Sequence, residues 1–110
     1  MTVLEDYRKE LEQEAMWGIL PVHMRAGMRL YIESGIEPGS FLAAVLCNDL
    51  REAIGRADHI NRDRIPDYVQ FLYNRAPSAC WGSPAKYLKW VSHGGLSGLK
   101  LADSAEESKT

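Results

Sequence analysis

The sequence predicts an all-α fold, a compact bundle of about five helices followed by a flexible C-terminal tail. Three observations carry that reading. Apolar residues recur at three- and four-residue spacing through most of the chain. No stretch alternates apolar and polar residues as a half-buried strand would. Clusters of Pro, Gly and Ser separate the periodic stretches, stopping one helix and capping the next. The 110 residues are the length of one domain, expected over 1–95, with the tail over 96–110.

Taken in order, Thr2 and Glu5 fit a capping box that opens a first helix, with Leu4, Tyr7, Leu11 and Ala15 along one side. Trp17, Gly18 and Leu20 break it. Pro21 suits the first turn of a second helix to about Glu33, which sets Met24, Met28, Tyr31 and Ile32 on one face and Val22, Ala26 and Leu30 on another. The breakers from Ser34 to Gly39 end it. A third and clearest helix runs from Ser40, its N-cap, to about Ala57. Leu42, Leu46, Leu50, Ala53, Ile54 and Ala57 form its apolar stripe, and Phe41 with Val45 form a second strip that calls for a further packing partner. After a connector at Asp58–Asn61, a fourth helix spans about Asp63 to Arg75, with Ile65, Tyr68, Val69, Leu72 and Tyr73 facing the core. Ser83 as N-cap and Pro84 at the first position open a fifth helix to about Ser92, anchored by Leu88 and Val91 with Tyr87 and Trp90 at its margins.

Composition narrows the function. The chain is 45% apolar and 25% charged, with a net charge of -2, and lacks the basic footprint of a non-specific nucleic-acid binder. No apolar run reaches the ~20 residues of a membrane span, and the N-terminus does not read as a secretory signal. Cys47 and Cys80 make no disulfide framework and read as cytosolic thiols. Acidic residues concentrate before Trp17, whereas arginines dominate the cations of the middle, which leaves room for a small anionic ligand.

Chemistry-bearing residues gather between Asn74 and Pro84. Cys80 precedes a helix start that favours a thiolate, yet no histidine is placed beside it by spacing, so a packing thiol is the expectation. Histidines and cysteines are scattered without metal-binding spacing, and no metal or cofactor is expected. Asp49 and Glu52 lie among Arg51 and Arg56, as in a solvated ion-pair network. A binding constellation reads better. Trp81 offers a face for stacking, Ser83, Lys86 and the amides of the Pro84 helix can receive an anion, and Asn74 and Arg75 end the preceding helix nearby. Asn48, Asp49 and Arg56 would complete the site from the Ser40 helix or from a second subunit.

The blocks Pro38-Gly39-Ser40-Phe41-Leu42-Ala43-Ala44-Val45-Leu46, Asn48-Asp49-Leu50, Ala57-Asp58 and Asn61 are joined by Phe71-Leu72-Tyr73-Asn74, Ala76-Pro77-Ser78, Cys80-Trp81-Gly82-Ser83-Pro84 and Trp90. Together they resemble a family of small, mostly uncharacterised proteins encoded by bacteriophages and prophages, over roughly residues 23–95. The resemblance implies an accessory phage protein of the host bacterial cytoplasm, of a kind that counters host defence. The expected function is non-enzymatic sequestration of a small anionic immune nucleotide, cyclic or of the ADP-ribose type, by a homo-oligomer. The alternative is a protein–protein inhibitor of a host defence complex, such as an anti-CRISPR, and a third reading is a small enzyme using Cys80.

Overall fold

The structure, a computed structural model, describes residues 17–99; the expected first helix and the chain beyond residue 99 lie outside them. A 3-10 turn at Val22–Met24 leads into α1, Arg25–Ser34. Then follow α2, Ser40–Leu46, α3, Leu50–Arg56, α4, His59–Asp63, and α5, Ile65–Arg75. A second 3-10 turn, Ser78–Cys80, precedes α6, Pro84–His93, and residues 95–99 add a last helical turn. The described residues contain no strand, so the all-α reading holds.

The expected Ser40–Ala57 helix is two helices. Asn48 adopts the left-handed conformation at φ 61°, a geometry that Asn tolerates better than other side chains bearing a Cβ. Its N–H bonds the carbonyl of Val45 at 3.0 Å, while Asp49 N–H bonds that of Ala44 at 2.9 Å. These two bonds close the end of α2 as a Schellman motif. Asp49 then caps α3, its carboxylate accepting the Glu52 N–H at 3.2 Å. The joint redirects the chain, so the long apolar stripe does not face one way. Phe41, Leu42, Val45 and Leu46 are buried, whereas Leu50 and Ile54 are exposed. The Phe41/Val45 strip needs no second chain, because Phe41 meets Tyr68 of α5 edge-on at 5.3 Å.

The expected connector at Asp58–Asn61 is already helical, with the Asp58 carboxylate accepting the Asn61 N–H at 2.7 Å. Asn61 is buried, and its Oδ1 accepts the Tyr68 hydroxyl at 2.7 Å, so the polar group has its partner inside.

α6 turns a different face inward from the one expected, and α5 keeps the expected Tyr68 and Leu72 inside but is rotated enough to bury Phe71 as well. On α5 the core residues are Tyr68, Phe71 and Leu72, while Val69 and Tyr73 are exposed. On α6 they are Tyr87 and Trp90, with Leu88 outside. Aromatic area decides both rotations. Phe71 packs on Trp17 at 5.1 Å, Tyr87 stacks on Tyr31 at 5.4 Å, and Trp90 Nε1 donates to the Tyr31 carbonyl at 3.0 Å. Of the expected face Met24, Met28, Tyr31 and Ile32, the last three lie on α1 and are buried, while Met24, in the preceding 3-10 turn, is half-buried.

The ends of α1 and α6 meet backbone to backbone. Gly35 and Gly95 both have positive φ, 66° and 67°. A methyl group on Gly35 would stand 2.7 Å from the Gly95 nitrogen, and one on Gly95 would stand 2.5 Å from the Gly35 nitrogen. The next residue, Leu96, is buried. The packed part of the chain therefore extends past the expected boundary at residue 95. At the other end Arg64 donates to the Ile19 carbonyl and to Asp67, the latter at 2.5 Å, and holds the Trp17–Leu20 turn against the start of α5.

Candidate functional site

The Asn74–Pro84 segment is fastened to the α2–α3 joint by one hydrogen bond, from Gly82 N–H to the Leu46 carbonyl at 2.8 Å. Leu46 is the last residue of α2, so its carbonyl has no partner further along that helix. The bond brings Gly82, between Trp81 and Ser83, to the C-terminal end of α2, beside the joint that carries Asn48 and Asp49 about 35 residues earlier in the chain. The sequence reading grouped Asn48 and Asp49 with Trp81, Ser83 and Lys86; in the structure Asn48 and Asp49 line a groove between α3 and α5.

Within the corner, Ser83 caps α6: its Oγ accepts the Lys86 N–H at 3.1 Å. Lys86 Nζ reaches back across the loop to the Ser78 carbonyl at 3.3 Å. Trp81 is half-buried and packs against the core. Its indole thus serves the corner as a wall, with part of its surface left to solvent. Asn48 and Asp49 are exposed.

The other expected site residues stand apart from this arrangement. Arg56 pairs with Glu52 along its own helix at 2.9 Å, and Asn74 Nδ2 donates to the Gln70 carbonyl one turn back in α5 at 2.9 Å. Arg75 is exposed in the last turn of α5, at the opposite end of the loop from Ser83.

Cys80 is a packing residue. It is buried, and its carbonyl accepts the Tyr31 hydroxyl at 2.6 Å. Burial pushes its thiol up to about 12, against a smaller opposing pull from a backbone hydrogen bond and from the Lys86 charge. The half-buried Cys47 is also raised, by burial and then by Asp49. Neither thiol is poised as a nucleophile at neutral pH. His93 packs edge-on against Trp90 at 4.9 Å, and His23 lies 3.4 Å from Asp58. Among the described residues no group of three His, Cys, Asp or Glu side chains could hold a metal ion. No helix among them is long and apolar enough to cross a membrane.

One feature escapes the sequence reading. A shallow groove of about 30 Å³ runs between α3 and α5, lined by Val45, Asn48, Asp49, Leu50, Ala53, Ile65 and Val69. It has room for a water molecule or two and is an order of magnitude too small for a nucleotide. The signal for it was the Asn48-Asp49-x-x-Glu52 run, a helix stop followed by a helix start, which turns Leu50 and Ile54 out of the core. The chain matches no protein-family model, no curated protein and no solved structure.

Proposed function

We propose that the protein is a non-enzymatic, homo-oligomeric binder of a small anionic ligand, held at the corner of Asn48, Asp49, Trp81, Ser83 and Lys86. The observation that carries this reading is the Gly82–Leu46 hydrogen bond, which joins the loop to the α2–α3 joint. Lys86 supplies the charge for a phosphate or carboxylate, the exposed part of Trp81 a face for a ring, and Asn48 an amide to read its edge. Arg75 lies at the far end of the loop and makes a second contact to a ligand long enough to span it. Taken with the phage-protein resemblance, the ligand class is an immune nucleotide, cyclic or of the ADP-ribose type, and the activity is its sequestration in the host cytoplasm. Isothermal titration against a panel of signalling nucleotides tests this. We expect heat with at least one of them and a loss of about tenfold or more in affinity for Lys86→Glu; no heat with any overturns the reading.

A second reading, contact with a host defence protein, is favoured by α1. Val22 of the preceding 3-10 turn and Ala26 and Leu30 of α1 are exposed, with Arg29 exposed nearby over the Trp17 ring at 4.9 Å and Arg25 half-buried, its Nε donating to the Leu20 carbonyl at 3.0 Å. Such a surface fits an acidic amphipathic partner. Capture from host lysate of one stoichiometric protein, lost with Leu30→Asp, distinguishes this reading from ligand capture.

A further inference from the structure

The described part of the chain opens at Trp17, and arginines gather around that opening. Arg25 Nε donates to the Leu20 carbonyl at 3.0 Å, and Arg64 donates to that of Ile19. The Arg29 guanidinium lies over the Trp17 ring, 4.9 Å from its centroid. Arg64 has Asp67 as its counter-charge, whereas Arg29 is exposed and has no carboxylate partner among the described residues. Trp17 is only 3% exposed and packs on Phe71, yet its indole N–H has no acceptor among the described residues. A buried donor without a partner and an unpaired guanidinium, side by side, are the two halves of a carboxylate site.

We propose that residues 3–16 of the same chain occupy this site as a helix laid antiparallel to α1, with the Glu14 carboxylate received by Arg29 and the Trp17 N–H. The inference is independent of the ligand corner. Three properties single out this occupant. The first is attachment: the segment is joined directly to Trp17, so it meets Arg29 at the high local concentration of a contact within one chain. The second is charge: residues 1–16 carry five carboxylates against two cations, opposite in sign to the arginines at the opening. The third is register. Trp17 is itself helical. Glu14, Glu10 and Asp6 precede it by three, seven and eleven residues, the steps that hold side chains on one side of a helix. A helix carried back from Trp17 therefore leads a line of carboxylates out from under Arg29. Its direction follows from the contacts already made. As the chain steps back from Leu20 to Trp17, the partner on α1 steps forward from Arg25 to Arg29, the pairing of an antiparallel helical hairpin. Leu4, Tyr7, Leu11 and Ala15, beside the acidic line, then run toward the end of α1 where Leu30 and Ile36 are exposed. A host protein that used α1 would first have to displace this segment.

Amide hydrogen exchange of the full chain, read by mass spectrometry, is the test. We expect the amides of residues 5–16 to exchange at least about tenfold more slowly than in an unstructured chain. A helix of this length is marginal without packing, so such protection reports docking. It should be the same at roughly 1 μM and roughly 100 μM, as a contact within one chain requires. Arg29→Glu and Glu14→Lys each remove the protection while α5 and α6 keep theirs, and the chain carrying both changes regains most of it. Lys89→Glu, at an exposed lysine of α6, changes nothing. Full-speed exchange of residues 5–16 in the unaltered chain overturns the proposal. So does protection that survives both single changes, and so does protection that grows with concentration, which would give the contact to a second copy. Should Arg29→Glu also strip α5 and α6 of protection, the fold itself has failed, and Glu14→Lys, on the docked segment, decides alone.

Discussion

Asp58 shows how one side chain links local geometry to solution behaviour. Its carboxylate accepts the Asn61 N–H at the start of α4 and lies 3.4 Å from His23. The backbone hydrogen bond, followed by the hydrogen bond and charge of His23, holds its carboxyl below the ordinary carboxylate value. A carboxyl depressed in the folded state contributes stability that is present above its ordinary value and lost as the pH falls through its folded value. We therefore expect the thermal midpoint to drop on acidification below about pH 4, and Asp58→Asn to flatten part of that drop. Thermal melts of both proteins between neutral pH and pH 3 would show it, and parallel acid profiles would refute it. The role of Asp58 was open to the sequence, since Asp is a strong N-cap residue, but its position just before a single turn of helix concealed the cap. Cys80 was read correctly as a packing thiol, because a free cysteine among turn residues and aromatics is most often buried. Arg56 pairs with Glu52 one turn back, as the four-residue spacing of an ion-pair network indicates. Asn74 folds back onto the Gln70 carbonyl, which nothing in its spacing told.

Among the elements, α2 and α3 carry the sharpest lesson. Apolar periodicity runs unbroken from Phe41 to Ala57, and periodicity is blind to a one-residue change of helix direction. The break sits at Asn48, whose left-handed backbone costs an ordinary side chain about 1–2 kcal/mol and costs glycine nothing. Asn48→Gly is accordingly expected to keep or slightly raise stability, whereas Asn48→Val lowers it by about 1–2 kcal/mol. Urea denaturation of the three proteins measures the order; equal losses for Gly and Val would show that the amide, not the backbone, matters at this joint. The inward face of α6 was misread by about one residue step, and on α5 Tyr68 and Leu72 were placed correctly while Val69 and Tyr73 were taken for core in place of Phe71. Leu88 and Tyr73 look as apolar as Tyr87 and Phe71 along each helix. Only the positions of Trp17 and Tyr31, brought in from elsewhere in the chain, decide which of them goes inside.

At the scale of the whole molecule, helix content and the breaks marked by Pro, Gly and Ser were legible because they are local. Which helices touch was not, because it depends on aromatic contacts and backbone bonds between residues tens of positions apart. One such set is the group of buried phenols, Tyr31, Tyr68 and Tyr87. Burial raises all three above the ordinary tyrosine value, Tyr87 to about 12 and the other two further. Groups raised on folding contribute stability that is intact below the unfolded value and is lost as the pH climbs through the folded one. The fold should accordingly hold to about pH 10 and lose stability between there and pH 12. Helical circular dichroism and phenolate absorbance, followed together, should change in a single step for these three residues. Phenolate appearing well before the helical signal falls would show that the rings ionise inside the intact core.

The meeting of Gly35 with Gly95 bears on how this chain can vary over time. Most packing faults in a core can be mended by a second change nearby, a larger residue here answered by a smaller one there. At this clasp each partner is already the smallest residue available, so neither has any volume to surrender to the other. A mutation at one position has no suppressor at the other. The two sites are bound to a common fate, unlike the core residues between them, where a change of volume can be answered by a neighbour.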